Sequence, residues 1–181
     1  MPTLPRSLPL IGALLLATPA AATMFNADRV EPSGHWHSLR LSLGEAQRFR
    51  ATNTLDQPGT AFSVDFAPPH CQPLAELRVE MHEFVAEPEI RQSATGLRID
   101  DQASFAAPAE LRREPGDSGA YALFSLDEPY RLLHELRTGE TLRLRLGDDD
   151  EPWELDFALD GAGPALDRAA RLCRRATDDD T

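Results

Sequence analysis

Two histidines flank a tryptophan in the segment His35-Trp36-His37. Residues i and i+2 of an extended segment lie on the same face, so the two imidazoles share a side. Such a pair suits zinc or copper. A third ligand would have to come from His70, His82 or a carboxylate, and no sequence pattern supplies it. His35 and His37 are therefore weak candidates for metal ligands, and the alternative is that they are ordinary surface histidines. We predict no cofactor.

The tetrapeptide Gly-Asp-Ser-Gly at 116–119 surrounds the nucleophile of trypsin-like proteases. That serine needs a histidine base beside its hydroxyl and a carboxylate behind the base. His70 precedes Ser118 by only 48 residues, which leaves no room for the two barrels of that protease fold. Pro, Gly, Asp and Ser are themselves turn-forming residues. We therefore predict a turn at this point and a protein that is not an enzyme.

Four consecutive acidic residues, Asp148, Asp149, Asp150 and Glu151, lie between two predicted strands. They lack the alternating ligands and the central glycine of an EF-hand calcium loop. We expect a hairpin loop whose charges contact a protein partner. Adjacent acids elsewhere, such as those at 100–101, point to opposite faces of a strand and make a poor acid–base pair.

The chain has two cysteines, Cys71 and Cys173, and no CxxC redox motif. Two cysteines in an oxidising compartment most often pair, although two free thiols are the alternative. We predict a Cys71–Cys173 disulfide. A closed loop of about 100 residues contributes roughly 4–5 kcal/mol of stability in the chain-entropy model.

The first residues have the order of a secretory signal peptide. Arg6 precedes an apolar run from Leu8 to Ala17, and small residues follow at 20–22. The run is shorter than the roughly 20 apolar residues of a membrane span. We expect cleavage after Ala22 and a periplasmic or secreted protein without a membrane anchor.

Acidic residues outnumber basic ones by 30 to 18, and every basic residue is arginine. The net charge of −12 argues against nucleic acid, whose binding depends on basic residues that contact phosphate. It also argues against anionic membrane surfaces. The remaining classes are those of a soluble exported protein.

Apolar and polar residues alternate with a period of two through much of the chain. This pattern is typical of antiparallel strands with one buried and one wet face. The segment 120–126 is apolar on both faces and predicts a more central strand. The predicted inward-facing residues are Leu39, Leu41, Leu43, Phe49, Ala51, Phe62, Val64, Phe66, Leu77, Val79, Met81, Leu97, Ile99, Leu142, Leu144, Leu146, Trp153, Leu155, Phe157 and Leu159.

Two helices interrupt the strands. The first, within 127–139, has Asp127 as its predicted N-cap and Gly139 just past its end, with one face formed by Tyr130, Leu133 and Leu136. The second begins at Gly163 and Pro164. Its apolar seam consists of Leu166, Ala169, Ala170 and Cys173.

These elements predict a mainly β protein. The expected fold is an antiparallel β-sandwich or partly open barrel of about eight strands, with a short crossover helix and a C-terminal helix. The expected boundaries are a signal peptide at 1–22, an N-terminal leader at 23–35, a single β-rich domain at 36–175 and a disordered acidic tail at 176–181.

The C-terminal half contains a short helix, the strands "TLRLRLG" and "WELDFALDG", and a helix "ALDRAARLC" with a late cysteine. This order resembles the invasion-associated locus B family and the small periplasmic protein associated with type VI secretion loci. The resemblance covers 127–174, and it implies an exported β-rich module without established catalytic residues. One position departs from the pattern, because Ala162 stands where an aromatic residue commonly follows "LDG".

The expected function is that of a non-catalytic exported module that binds another envelope or secretion-system protein. The contact surface would be a sheet face, a strand edge or the acidic hairpin. The alternative is a periplasmic protein that binds a small ligand inside the barrel or a metal at His35 and His37.

Overall fold

The computed structural model describes residues 25–55, 59–147 and 152–179. The predicted signal peptide at 1–22 and the acidic residues Asp148, Asp149, Asp150 and Glu151 lie outside the described residues. Both predictions stay as they were made.

The described residues form twelve strands and two helices. The strands are β1 (Asn26–Ser33), β2 (Trp36–Leu43), β3 (Ala46–Thr54), β4 (Ala61–Phe66), β5 (Pro73–Glu80), β6 (Glu89–Ser93), β7 (Thr95–Ile99), β8 (Phe105–Ala106), β9 (Ala109–Arg113), β10 (Gly119–Phe124), β11 (Thr141–Leu146) and β12 (Trp153–Ala158). The helices are α1 (Pro129–Thr138) and α2 (Ala162–Asp179).

The strands form two antiparallel sheets. The large sheet has eight strands in the order β1-β2-β3-β4-β5-β10-β9-β6, and the small sheet has four in the order β12-β11-β7-β8. One face of the large sheet packs against the small sheet and against α2, which contacts β1 to β4. The predicted β-sandwich with a C-terminal helix is therefore confirmed.

Four strands add to the eight that alternation predicts: β1, β6, β8 and β9. Three of them lie at sheet edges. Residues on both faces of β1 and β6 are exposed, and β8 is only two residues long, so none of the three shows a period of two. The domain also differs from expectation at both ends. Strand β1 occupies much of the expected leader at 23–35, and α2 continues to Asp179 within the expected tail at 176–181.

Strand β2 buries the face opposite to the predicted one. Trp36 and Ser38 are fully buried on the inner face. Leu39 is also buried, at 9% exposed, but it lies opposite Arg50 on the outer face, where Leu41 and Leu43 are only half-buried. The prediction of Leu39, Leu41 and Leu43 as the inward face was wrong, because Trp36 packs between the sheets and α2 covers the strand on that side. A tryptophan side chain buries a large apolar area, which favours the face that carries Trp36 as the inner one.

One carbonyl oxygen joins the two sheets. Ala158, at the end of β12, accepts hydrogen bonds from Trp36 Nε1 at 2.9 Å and from Asn53 Nδ2 at 2.6 Å. Phe62 lies beside this hydrogen-bonded carbonyl and contacts an aromatic ring from each sheet. Its ring centroid is 6.4 Å from that of Trp36 and 5.8 Å from that of Phe157. The buried N–H groups of Trp36 and Asn53 therefore have a hydrogen-bond acceptor within the aromatic core.

The predicted disulfide is present. Cys71 and Cys173 are bonded with their Cα atoms 5.9 Å apart, and 102 residues separate them along the chain. The bond links α2 to the connection between β4 and β5. The predicted apolar seam of α2 is also confirmed, since Leu166, Ala169 and Cys173 are fully buried.

The turn before α2 requires a glycine. Gly161 has φ +87°, and a Cβ there would overlap the carbonyl oxygen of Ser33. The backbone N–H of His35 donates to the carbonyl of Asp160 at 3.0 Å. The "LDG" segment therefore packs against the β1–β2 turn, and this contact requires a glycine at position 161.

Helix α1 differs in detail from its prediction. Glu128 is the N-cap in place of Asp127, and it makes no side-chain capping bond. The buried residues are Leu132, Leu133 and Leu136, whereas Tyr130 is 65% exposed. Neither helix in the described part of the chain is long and apolar enough to cross a membrane.

Candidate functional site

The two histidines flank the buried Trp36. His35 lies in the turn before β2, and His37 lies in β2 opposite Thr52, on the outer face of the large sheet. No group of three His, Cys, Asp or Glu side chains in the described ranges is placed to hold a metal ion. The structure therefore does not join the two predicted metal candidates in a described metal site.

The Gly-Asp-Ser-Gly segment is the turn between β9 and β10, as predicted. The Asp117 carboxylate accepts the backbone N–H of Gly119 and the Tyr121 hydroxyl, both at 2.7 Å. Asp100 has a comparable backbone role, since it accepts the N–H groups of Glu140 at 3.0 Å and Thr141 at 2.8 Å. These carboxylates hold turns in place.

The outer face of the large sheet carries a first charged network around Arg50. Its guanidinium binds both oxygens of Asp65, at 2.7 and 2.8 Å, and Glu76 at 2.8 Å. Asp65 is only 3% exposed. Burial alone would lower the pKa of Arg50, but the hydrogen bonds and charges of the two carboxylates outweigh it and raise that pKa. Arg48 also lies 3.7 Å from Asp65, so the network joins two arginines to two carboxylates in one structural unit.

A second network surrounds Arg78 on the same face. Arg78 donates to Tyr121 Oη at 3.3 Å, to Glu80 at 2.9 Å and to the Gly59 carbonyl at 2.7 Å. Burial, together with the hydrogen bond to Asp117, raises the pKa of Tyr121. The Glu80 pKa is lowered by hydrogen bonds from Ser118 and then from Arg78. The polar side chains of this network therefore hydrogen-bond one another, as those around Arg50 do.

The outer face of the small sheet differs. A concavity of about 400 Å³ opens there between β7, β11 and β12, and we call it the charged concavity. Its lining consists of Gly96, Arg98, Ser104, Arg143, Leu144, Arg145, Glu154 and Asp156.

Strand register places its charges in rows. Arg143 of β11 lies directly opposite Arg98 of β7 on one side and Asp156 of β12 on the other. Arg145 likewise lies between Gly96 and Glu154. A side chain at position 96 would meet open space, so the glycine leaves the floor of the concavity vacant. The result is a basic row beside an acidic row.

Four of the charged residues that line the concavity are not joined to one another. Within the described ranges, Arg98, Arg143, Glu154 and Asp156 form no ion pair. Arg143 donates instead to the backbone carbonyl of Asp100 at 3.1 Å. Like charges directly opposite each other destabilise a sheet, so the Arg98–Arg143 pair is unfavourable, and Asp156 faces Arg143 only from the other side.

The predicted acidic hairpin is connected to this site. Residues 148–151 join β11 to β12, and both strands line the charged concavity. The sequence predicted a hairpin between these strands, but it did not indicate Arg98 and Arg143 as candidate site residues. The available signal was their position on the outward face of alternating strands, where three neighbouring strands carry charge.

A second, narrow cleft lies between the sheets at the end of the sandwich where β12 begins. Its volume is about 40 Å³, and Met81, Leu111, Ala120 and Trp153 form its apolar lining. Trp153 is 36% exposed, so this predicted inward-facing residue marks the open end of the core.

Comparisons with protein-family models, with curated proteins and with solved structures found no match for this chain.

Proposed function

We propose that this protein is an exported, non-catalytic module that binds a polypeptide segment of another envelope or secretion-system protein in the charged concavity. The observation that carries the proposal is that Arg98, Arg143, Glu154 and Asp156 share one concavity and form no ion pair with one another or with another described residue. A segment with a carboxylate side chain near a basic side chain would complement both rows.

The chemistry of the lining favours a polypeptide over a small apolar ligand. Small-molecule pockets of 300–1,000 Å³ are mostly apolar and enclosed. The charged concavity is open, and Arg98, Arg143, Glu154 and Asp156 are exposed. Arginine forms bidentate bonds with carboxylates, which gives orientation as well as attraction.

A non-catalytic role agrees with the state of the ionisable groups. The shifted pKa values of Arg50, Arg78, Tyr121 and Glu80 belong to groups that hydrogen-bond one another on the large sheet. Structural ion-pair networks shift pKa values as active sites do. The disulfide is compatible with an oxidising, exported location.

The partner can be captured by photo-crosslinking in the exporting cell. A photoreactive amino acid replaces Ser104, which lines the charged concavity, and the matched control replaces Glu45 in the turn between β2 and β3. We expect a protein adduct from position 104 that is absent from position 45. Identical adducts from both positions would contradict the proposal.

The captured protein is then titrated against the purified chain by calorimetry. We expect the double variant Arg98→Ala/Arg143→Ala to bind at least about tenfold more weakly, a loss of about 1.4 kcal/mol. The exposed Arg112 pairs with Glu110 on the large sheet, so Arg112→Ala serves as the control and should bind normally. Affinity should also fall with added salt, because these charges are exposed. Equal binding by the double variant would refute the assignment of the site.

A further inference from the structure

The two sheets end in four edge strands. These are β1 and β6 in the large sheet and β12 and β8 in the small sheet. An edge strand presents unpaired N–H and C=O groups that can pair with another chain. Proteins protect such edges with bulges, prolines, short strands or covering groups.

Three of the four edges carry such protection. Strand β1 has an irregular register between Asp28 and Glu31 and contains Pro32. Strand β8 is two residues long. Strand β12 carries the exposed like charges Glu154 and Asp156, and the carbonyl of its last residue, Ala158, is occupied by side chains of the large sheet. A further strand could not extend along the full length of any of these edges.

Strand β6 has no such bulge or covering group among the described residues, and its two charged residues, Glu89 and Arg91, have opposite signs. It pairs with β9 in continuous register from Glu89 opposite Arg113 to Ser93 opposite Ala109, and it contains no proline. Four of its five residues are exposed. Ile90 is 60% exposed, and Phe84 in the preceding segment is 70% exposed. The edge is regular and accessible, and it exposes one large apolar side chain, Ile90.

The sequence of β6 is self-complementary. A twofold axis perpendicular to the sheet makes two copies of β6 antiparallel and keeps the outer faces on the same side. If Ile90 lies on the axis, it meets Ile90 of the second copy. Glu89 then lies opposite Arg91 of the second copy, twice by symmetry. An axis at Arg91 would place two arginines opposite each other, which is unfavourable.

The charges that this pairing needs are accessible. Glu89 is 57% exposed at its side chain, although one oxygen lies 3.4 Å from Arg113. Arg91 forms no ion pair with any residue that the structure describes. Pairing would therefore supply a carboxylate to Arg91 and remove Ile90 from water.

We propose that a second copy of this chain occupies the β6 edge, in an antiparallel β6–β6 pair centred on Ile90. The pair joins the two large sheets into one continuous sheet. The observation is independent of the charged concavity, which lies on the small sheet. A dimer would carry two such concavities and would bind a repeated or dimeric target with greater avidity.

Sedimentation equilibrium of the processed, disulfide-bonded chain tests the proposal. We expect the wild type to sediment with twice the mass of one chain. The variants Glu89→Arg and Arg91→Glu should each sediment as monomers, because each homodimer would place like charges opposite one another. An equimolar mixture of the two variants should regain the dimer mass, because every cross-strand pair in the heterodimer then joins opposite charges.

Two variants provide matched controls. Glu45→Arg and Arg175→Glu make the same charge changes at exposed positions away from β6, and both should remain dimeric. Circular dichroism checks that each variant is folded. If a charge variant is unfolded, Ile90→Ser removes the apolar centre and should also reduce the measured mass by half. A monomeric wild type, dimeric charge variants or a mixture that stays monomeric would overturn the proposal.

Discussion

The outer faces of the two sheets use the same residue types in different ways. On the large sheet, Arg50 lies opposite Asp65 in register and binds it through two hydrogen bonds. On the small sheet, Arg143 lies opposite Asp156 in register, yet the two form no ion pair. Register alone therefore does not determine which charges pair. Burial does, since a charge removed from water must be compensated whereas an exposed charge is solvated.

The largest expected effect comes from Asp65→Asn. The substitution leaves the Arg50 guanidinium, which is only 20% exposed, without its two-bond partner. We expect a loss of about 3–5 kcal/mol in the free energy of unfolding, as is typical when one member of a buried pair is removed. Urea unfolding measures it. The equivalent change on the small sheet, Asp156→Asn, should stay within about 0.5 kcal/mol of wild type. Similar losses at both positions would remove the distinction between the faces.

A smaller effect of opposite sign is expected at Arg98. Replacement by alanine removes one of two like charges that face each other across β7 and β11, so Arg98→Ala should raise the free energy of unfolding by about 0.2–1 kcal/mol. Arg40 provides the contrast, because it binds both carboxylate oxygens of Asp28 across β2 and β1. Arg40→Ala should lower stability. Destabilisation by Arg98→Ala would show that this arginine has an intramolecular role.

The smallest effect concerns pH and the Arg78 network. Burial and the bond to Asp117 raise the pKa of Tyr121 above its ordinary value of 10.0. As pH rises past 10.0, the unfolded chain loses the phenolic proton before the folded protein does, so stability falls. Tyr121→Phe should remove this part of the alkaline decline. Unfolding by denaturant at a series of alkaline pH values, compared with wild type, measures the difference. An unchanged decline would show that Tyr121 titrates normally.

Much of the fold could be predicted from alternation because most strands bury one face. The segment from Leu142 to Leu146 illustrates this, since its three leucines are buried and its two arginines are exposed. Strand β6 shows the limit of the method. Its residues face water on both sides, so its position depends on pairing with β9 and leaves no local pattern. The β2 face was misassigned because the burial of Trp36 depends on the distant α2 and β12.

The charged concavity was harder to predict than the disulfide. Cys71 and Cys173 are the only cysteines, so the compartment alone suggests their pairing. Arg98 and Arg143 are separated by 45 positions and become neighbours only through the β7–β11 register. No local motif encodes that register, which is set by the inward packing of Leu97 and Leu144.

The two tryptophans occupy contrasting environments. Trp36 is fully buried at the joint between the sheets, whereas Trp153 is 36% exposed at the start of β12, next to Glu154 of the charged concavity. Intrinsic fluorescence of the folded chain should therefore contain a blue component from the interior and a redder, quencher-accessible component from the open end. A group that enters the narrow cleft lined by Trp153 should alter the red component alone, so the chain contains its own optical reporter for that cleft.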